Sequence, residues 1–254
     1  IESATSYPCF EHQTMGDLLG ADISWRYYAP GAGTIWTAPN AIQHICESTG
    51  PGGECTGQEW LDHVDLTSAD VLKDIGSCNL QAVTWVIPTC ENSDHAGCND
   101  GGGPSWVSSI VNAIGNATSC DGGAGYWQDT AIVITWDDWG GWYDHEAPEI
   151  LPGVQGDYQY GFRVPLIFIS AYTPKGMINN IHHDFGSILR FVEHNFGIEE
   201  GALNFADARA VGDLVEFYDL SRSPRPFKTI SAQKNAEFFL HDKRPQTPPD
   251  DDDN

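Results

Sequence analysis

The residue types best suited to chemistry are concentrated in one segment, TWDDWGGWYDHEAP, in the second half of the chain. It contains adjacent carboxylates at Asp137 and Asp138, then a glycine pair, then Asp144 and His145. Adjacent carboxylates repel each other where water is excluded unless a cation neutralises them, and hard divalent cations prefer carboxylate oxygens as ligands. The pattern favours a divalent-cation site, although an ordinary acidic loop in which Asp137 caps a turn is the simpler alternative.

Histidines outside this segment offer a second kind of chemistry. His95 lies in a long polar loop, residues 89–104. An imidazole there could contact a phosphate oxygen or protonate a leaving group near neutral pH, and a solvated loop histidine is the alternative. His182 and His183 could bind a metal. Because adjacent side chains diverge in most backbone conformations, binding of one ion by both is not expected.

Aromatic side chains surround the two acids, at Trp136, Trp139, Trp142 and Tyr143. They could form the wall of a substrate pocket, although clustered aromatic residues more often belong to a core. The sequence contains no GxSxG, P-loop, GxGxxG or HExxH motif. Serine hydrolase, nucleotide-binding and zinc-protease functions therefore lack support.

Strands and helices have to position these loops. Branched and aromatic apolar runs predict strands at residues 23–28, 82–88, 130–135 and 164–170. Helical periodicity predicts helices at residues 12–21, 38–46, 65–75, 105–115 and 185–196. Because strands alternate with helices, we expect an α/β fold with a mainly parallel central sheet, flanking helices and long loops. The loops that carry His95 and the two acids then follow the carboxyl ends of strands, where open α/β sheets bind ligands.

Local signals sharpen some of these elements. The continuous apolar run at residues 130–135 predicts a strand that is covered on both faces. Ser105 is expected to be the N-cap of its helix, and Gly197 is expected to end the helix at residues 185–196. The closing PQTPPDDDDN is rich in proline and then acidic, which is typical of a solvated tail.

The composition limits the kinds of partner. Of 254 residues, 12 are Lys or Arg and 36 are Asp or Glu, which gives a formal charge of −24, and 41% are hydrophobic. The apolar share is large enough for a core and argues against global disorder. The negative charge repels phosphate backbones and anionic headgroups, so nucleic acid is not an expected partner. No apolar run reaches the roughly 18 residues of a transmembrane segment.

The seven cysteines all lie within the first 120 residues, in segments rich in glycine, proline and asparagine. This clustering predicts loops that are stapled by disulfides and favours an oxidising compartment, so we expect a secreted or periplasmic protein. The odd number leaves one thiol that is either free or paired outside this chain.

The segment TAIVITWDDWGGWYDHEAP resembles the core motif of a bacterial phosphoesterase family that includes non-haemolytic phospholipases C and an acid phosphatase. That family belongs to the alkaline-phosphatase-like superfamily. Further segments resemble it in the same order: ISWRYYAP, VTWVIP with NSDHAG, GFRVPLIFISAYTPKG and DFGSILRFVEHNFGI. The resemblance covers nearly the whole chain and implies an alkaline-phosphatase-like fold, of which this chain is the C-terminal portion.

The resemblance implies hydrolysis of phosphate esters with one divalent metal ion, whether Ca, Mg or Zn. In such enzymes a Ser or Thr attacks phosphorus and water hydrolyses the covalent phospho-enzyme, while the cation holds the nucleophile deprotonated and neutralises phosphoryl oxygens. Asp137 and Asp138 match the family's paired acidic metal ligands, and His95 matches its phosphate-contacting histidine. Asp144 and His145 match residues that we expect to shape the loop or support the ligands from behind.

The chain departs from the family in its first part. The family's strand with a Glu-Asn metal pair and its downstream Ser or Thr nucleophile have no match, and neither Ser187 nor Thr135 occupies the position of the nucleophile. The sequence also reads DFGS where many relatives have DHTS. We therefore expect residues 1–230 to be the C-terminal portion of a catalytic domain that needs an N-terminal portion for turnover. Residues 231–254 would be an extension with an acidic tail.

The expected substrate is a phosphate ester, and a phospholipid headgroup held by the aromatic side chains is one candidate. Because the nucleophile segment is missing, a non-catalytic extracellular binding or assembly protein on the same scaffold is the alternative. Sulfatase-type hydrolysis on that scaffold is a weaker alternative.

Overall fold

A computed structural model of the chain describes residues 10–48, 54–98, 100–151 and 157–249. The described residues divide into two compact units. Unit 1 holds those within 10–13, 20–125 and 228–249, and unit 2 holds those within 14–19 and 126–227.

Unit 1 is built on a sheet of three short parallel strands in the order β2-β1-β3. The strands are β1 (Trp25–Tyr28), β2 (Val64–Asp65) and β3 (Val83–Val86). Tyr27 in the middle of the sheet lies opposite Val64 on one side and Trp85 on the other. The parallel α/β arrangement predicted from the sequence is confirmed for this unit.

Five helices belong to unit 1 among its described residues: α2 (Gln43–Cys46), α3 (Gln58–His63), α4 (Asp70–Gly76), α5 (Gly103–Asn116) and α8 (Ala236–Leu240). The long helix α5 packs against both α4 and α8. Its buried Trp106 makes an edge-to-face contact with the buried Phe239 of α8, with ring centroids 5.1 Å apart. Burial of two aromatic side chains in one contact stabilises this helix pair.

Unit 2 contains two small antiparallel sheets and three helices. Strand β4 (Ile132–Thr135) pairs with β7 (Leu166–Ile169), and β5 (Ile150–Leu151) pairs with β6 (Tyr158–Gln159). The helices are α1 (Met15–Leu19), α6 (Phe185–Phe196) and α7 (Phe205–Arg209). Phe168 of β7, Phe191 of α6 and Leu214 form its core.

The sheet of unit 2 differs from the prediction. The strands predicted at residues 130–135 and 164–170 form, but they run antiparallel, with Ile132 opposite Ile169 and Thr135 opposite Leu166. The prediction that residues 130–135 are covered on both faces is wrong, because all four residues of β4 are only half-buried. Within the described residues this sheet has two strands, so β4 is an edge strand and not the central strand that the apolar run predicts.

Two helix starts also differ from the prediction. The helix predicted at residues 65–75 begins at Asp70, because the Asp65 carboxylate accepts the N–H of Thr67 (2.9 Å) in a turn that separates β2 from α4. Ser105 is not an N-cap, since α5 begins two residues earlier with Pro104 in its first turn, where no N–H is needed. The Ser105 hydroxyl instead accepts the backbone N–H of Lys234 (3.3 Å).

Helix α6 has the predicted bounds. Asp184 caps its N-terminus by accepting the N–H of Gly186 (2.6 Å), and Gly197 ends it in the left-handed conformation, with φ of 66°. The helix predicted at residues 105–115 is slightly longer than predicted, and those predicted at residues 12–21, 38–46 and 65–75 are shorter. Residues 38–46, for example, divide into a 3-10 turn (Ala38–Ala41) and α2, with Ile42 extended between them.

Disulfides staple the loops of unit 1, as the cysteine clustering predicts. The three bonds join Cys46 to Cys55, Cys78 to Cys120 and Cys90 to Cys98. The seventh cysteine, Cys9, lies outside the described residues. Within the described residues, no helix has both the length and the apolar character needed to cross a membrane.

The chain end is less solvated than predicted. Pro249 is buried, and the carbonyl oxygen of Thr247 accepts the N–H of Cys90 (2.8 Å). The proline-rich part of the tail therefore docks on unit 1, because its carbonyl groups find donors there. Residues 250–254 lie outside the described part of the chain.

Candidate functional site

The loop after β4, residues 136–149, is called here the acid loop. Asp137 and Asp138 are both exposed at its start. The Asp138 carboxylate accepts the N–H of Gly140 and closes a tight turn. Gly140 and Gly141 have φ of 60° and 76°, which residues with a side chain rarely adopt. The glycine pair therefore lets the chain reverse directly after the two acids.

The middle of the acid loop is held by an ion pair. Asp144 accepts hydrogen bonds from Arg163 Nε (2.6 Å) and Arg163 Nη2 (2.9 Å) in a two-pronged arrangement. It also accepts the N–H of Glu146 (3.2 Å). The hydrogen bonds from Arg163 hold the pKa of Asp144 well below its ordinary value, so this carboxylate stays ionised. His145 is exposed, and its Nδ1 lies 3.3 Å from Asp144 Oδ1.

An open cleft of about 450 Å³ lies beside this ion pair. It is lined by Trp139, Trp142, Tyr143, Asp144, Arg163, Val164 and Pro165. Trp142 is 76% exposed and Tyr143 is 82% exposed, so these rings do not belong to a core. The cleft combines aromatic side chains with the Asp144–Arg163 ion pair, in which the carboxylate offsets part of the guanidinium charge.

The two acids suit a hard divalent cation by their donor chemistry, since both offer carboxylate oxygens on adjacent exposed residues. Among the described residues, Asp137 and Asp138 do not join a third acid, histidine or cysteine in one ligand cluster. An ion held there needs oxygen atoms from water, substrate or other residues to complete its coordination.

His95 lies in unit 1, in the loop after β3; residues 89–104 are called here the His95 loop. Its backbone N–H donates to Ser93 Oγ (3.0 Å), and its Nδ1 lies 2.8 Å from the carbonyl oxygen of Ala96. A carbonyl only accepts, so Nδ1 carries the hydrogen and Nε2 is the nitrogen able to exchange a proton with a ligand. The half-buried ring meets Trp36 edge-to-face, with centroids 6.3 Å apart.

The predicted site residues thus fall into two groups. Asp137, Asp138, Asp144 and His145 share the acid loop of unit 2, and His95 belongs to unit 1. The neighbouring histidines of unit 2 diverge, as their adjacency predicts. His182 Nδ1 lies 2.9 Å from Glu149 Oε1, whereas His183 contacts Glu216 Oε1 (2.6 Å) and the carbonyl oxygen of Val211 (2.7 Å).

Sequence reasoning missed Arg163, the partner of Asp144. A signal was present, because GFRVP places a lone basic residue directly before the apolar run of β7 in a chain with few cations. It also missed a buried pair of acids, Glu193 on α6 and Asp207 on α7, which are 0% and 4% exposed. Burial, and then the neighbouring Asp207, raise the pKa of Glu193 to about 7.

Comparison with known proteins identifies the family of the chain. The model of the Phosphoesterase family matches residues 2–199. The chain is 23% identical to the non-hemolytic phospholipase C of Pseudomonas aeruginosa over 252 residues, which cover 88% of this chain and 35% of that protein. It is 24% identical to phospholipase C A of Mycobacterium tuberculosis over 231 residues, covering 82% of this chain and 43% of that protein.

A plant protein is also similar. Non-specific phospholipase C6 of Arabidopsis thaliana is 25% identical over 183 residues, which cover 61% of this chain and 34% of that protein. The chain therefore spans between a third and a half of the length of these relatives.

Proposed function

Because the chain belongs to the Phosphoesterase family, we propose that it forms part of a metal-dependent hydrolase of phosphoric esters. One observation carries the proposal: two exposed adjacent carboxylates begin a loop whose next residues line a cleft with a guanidinium group. A divalent cation at Asp137 and Asp138 would neutralise phosphoryl oxygens, and Arg163 would add a positive edge to the same cleft.

In this proposal each predicted residue has a separate task. Asp137 and Asp138 hold the cation, whether Ca, Mg or Zn, through their carboxylate oxygens. His95 uses Nε2 to contact the phosphate or to protonate the leaving group, since its Nδ1 is directed at Ala96. Asp144 orients Arg163, and His145 lies behind it at the edge of the loop.

The nucleophile belongs, in this proposal, to an N-terminal portion of the same domain outside this chain. Residues 1–230 would complete the catalytic domain with it, and residues 231–254 would form an extension. The proposal draws on the length of the relatives, of which the chain covers 35% and 43%, and on the resemblance, which implies a nucleophile that no Ser or Thr of this chain matches.

The substrate that fits the cleft best is a phosphodiester with a cationic organic headgroup. Trp142 and Tyr143 are largely exposed, and aromatic rings attract a quaternary ammonium group through cation–π contacts. The relatives are named phospholipases C, which agrees with such a substrate. Three disulfides favour action in a secreted or periplasmic setting.

The test uses the longer protein that includes the N-terminal portion. Hydrolysis of p-nitrophenylphosphorylcholine and of p-nitrophenyl phosphate is measured with Ca, Mg, Mn or Zn. Asp137→Asn should lower kcat at least about 100-fold, because removing one metal ligand removes charge stabilisation at the reacting phosphate. Asp129→Asn, which changes another exposed acid of unit 2, should leave kcat unchanged.

Two results would contradict the proposal. Equal activity of Asp137→Asn and Asp129→Asn would remove the metal-ligand role. If the longer protein hydrolyses neither ester with any of these metals between pH 5 and pH 9, the non-catalytic binding protein becomes the better account. A preference for the choline ester over the monoester would support the headgroup assignment.

A further inference from the structure

The His95 loop is folded back on itself at its base. The disulfide between Cys90 and Cys98 closes a ring that contains His95. After the ring, a Cβ at Gly102 would lie 2.6 Å from the carbonyl oxygen of Glu91, so only glycine permits this approach of the loop's end to its start. The disulfide fixes the shape of the ring, and contacts where the chain enters it before Cys90 and leaves it after Cys98 fix its orientation.

The last described residues of the chain contact the two cysteines that close the ring; the start of the ring at Cys90 is called here its first exit. The N–H of Cys90 donates to the carbonyl oxygen of Thr247 (2.8 Å), and the buried Pro249 places its carbonyl oxygen 2.9 Å from Cys98 Sγ. Gln246 Oε1 accepts the N–H of the buried Ser68 (3.2 Å). Both cysteines of the ring thus touch a segment that is more than 140 residues distant in sequence.

Two cations of the same segment contact Asp100, which lies just after the ring and is called here its second exit. Asp100 Oδ2 lies 2.7 Å from Arg244 Nη1 and 3.1 Å from Lys234 Nζ, and Asp100 Oδ1 accepts the N–H of Gly102 (2.8 Å). Burial alone would raise the pKa of Asp100, but the hydrogen bonds from Lys234 and Arg244 bring it below its ordinary value. This carboxylate is therefore ionised wherever both cations are charged.

The segment has its own attachment, which does not depend on the loop. Phe239 of α8 packs on Trp106 of α5. Ahead of α8, the side-chain amide of Asn112 on α5 bonds both backbone groups of Ile230, at 2.9 Å and 2.7 Å. Helix α5 begins at the end of the His95 loop, at Gly103, so the contacts on either side of the ring connect the loop to an anchored frame.

We propose that the C-terminal segment, residues 234–249, is a positioning element. It fixes the orientation of the disulfide-closed ring that carries His95 through Thr247, Pro249 and the ion pairs of Asp100. Arg244 is its principal side chain, because the guanidinium also donates three hydrogen bonds to the carboxylate of Asp242 and is thereby oriented toward Asp100. The effect on catalysis rests on the proposed role of His95. The proposed ordering of the loop does not rest on that role.

Two truncations of the chain test the proposal. One ends at Pro245 and removes the docked Gln246–Pro249 together with the acidic residues; the other ends at Pro249 and removes only residues 250–254. Hydrogen exchange of residues 90–98 should rise about tenfold or more in the first and stay unchanged in the second, because only the first loses the hydrogen bond to Cys90. Equal exchange in the two truncations would overturn the proposal.

Point variants keep the proposal testable if the chain that ends at Pro245 does not fold. Arg244→Ala should shift the ring-proton NMR signals of His95 and raise exchange at residues 90–98, whereas Arg244→Lys should restore most of both. In the longer protein, Arg244→Ala should lower kcat several-fold with little change in KM. Unchanged His95 signals in Arg244→Ala would overturn the positioning role. If the His95 signals move in Arg244→Ala but the longer protein hydrolyses no phosphate ester with or without the substitution, the proposed function fails and the positioning role survives.

Discussion

The His95 loop and the acid loop carry the two kinds of proposed catalytic group, and they are held in different ways. The first has a disulfide at its base and hydrogen bonds to the C-terminal segment at both exits. The second has a turn at its glycine pair, an ion pair between Asp144 and Arg163, and a contact of Glu149 with His182 at its end. The imidazole is therefore preorganised, whereas the carboxylates of Asp137 and Asp138 lie on exposed residues that solvent and a cation can reach.

This difference shows how one chain can separate two requirements. A group that exchanges a proton needs a fixed direction, which a covalent ring supplies. A cation site needs exposed oxygens that water, substrate and metal can reach, which an open loop supplies. We expect substitutions in the His95 loop to act through geometry and those in the acid loop to act through charge.

The largest effect is expected from the imidazole itself. In the longer protein, His95→Gln should lower kcat by about 100-fold or more, because an amide cannot transfer a proton at neutral pH. His12→Gln, at an exposed histidine of unit 1 outside both loops and the C-terminal segment, serves as the control and should have no effect on ester hydrolysis. An active His95→Gln enzyme would mean that the preorganised loop serves structure alone.

The second prediction concerns the covalent ring. Replacing Cys90 and Cys98 by Ser should lower the free energy of unfolding of unit 1 by about 2 to 3 kcal/mol, the chain-entropy value for so short a loop. Urea unfolding measures this, with the double Ser variant of Cys46 and Cys55, a ring of similar length, as the comparison. Exchange at residues 90–98 should rise only in the first variant; a rise in both would mean that the ring does not order its own loop.

The third prediction concerns the buried acid pair of unit 2. Glu193 has a pKa of about 7 against an ordinary 4.5, so between these values the folded state binds more protons than the unfolded state. The free energy of unfolding of unit 2 should fall by about 2 to 3 kcal/mol as the pH rises from 4.5 to 7. Stability is lost on the alkaline side because deprotonation leaves two carboxylates together without water.

Glu193→Gln isolates this effect, since the amide keeps the shape and does not titrate. Its unfolding by urea, followed by hydrogen exchange at α6, should lose most of the pH dependence, while Glu199→Gln, an exposed acid just beyond the helix, should keep it. The same slope in both variants would show that Glu193 does not bind the extra proton.

The smallest effect is expected at the ion pair of the acid loop. Arg163→Ala should bring the pKa of Asp144 back toward its ordinary value and increase hydrogen exchange at residues 139–146 a few-fold, with little change in Tm, because exposed ion pairs contribute little to stability. Arg222→Ala, at an exposed arginine of unit 2, is the control. A large fall in Tm would contradict the description of this loop as open.

Much of the fold follows from local sequence signals. The strands at β1, β3, β4 and β7 and the bounds of α6 were predictable, because apolar runs, an acid at the N-cap and Gly197 act within a few residues. The antiparallel pairing of β4 with β7 was not, because pairing direction depends on contacts between strands that are 30 residues apart.

The site divides in the same way. The acids, the glycine turn and His95 were visible because each lies within a short motif. The Asp144–Arg163 pair and the contacts of the C-terminal segment with Cys90 and Asp100 were missed, since neither member of a long-range pair signals the other. The composition predicts a solvated proline-rich end because it describes the average environment of each residue type. It does not reveal that the carbonyl oxygen of Thr247 finds a specific donor in the N–H of Cys90.

The central claim, that Asp137 and Asp138 bind a divalent cation, is tested most directly by titrating Mn²⁺ into the ¹⁵N-labelled chain and following paramagnetic broadening of amide signals. The account predicts that residues 136–141 broaden first, before the exposed acidic pair Glu199 and Glu200, and that Asp137→Asn with Asp138→Asn removes this preference. Equal broadening at both acidic pairs, or broadening of residues 136–141 that persists in the double variant, would contradict it.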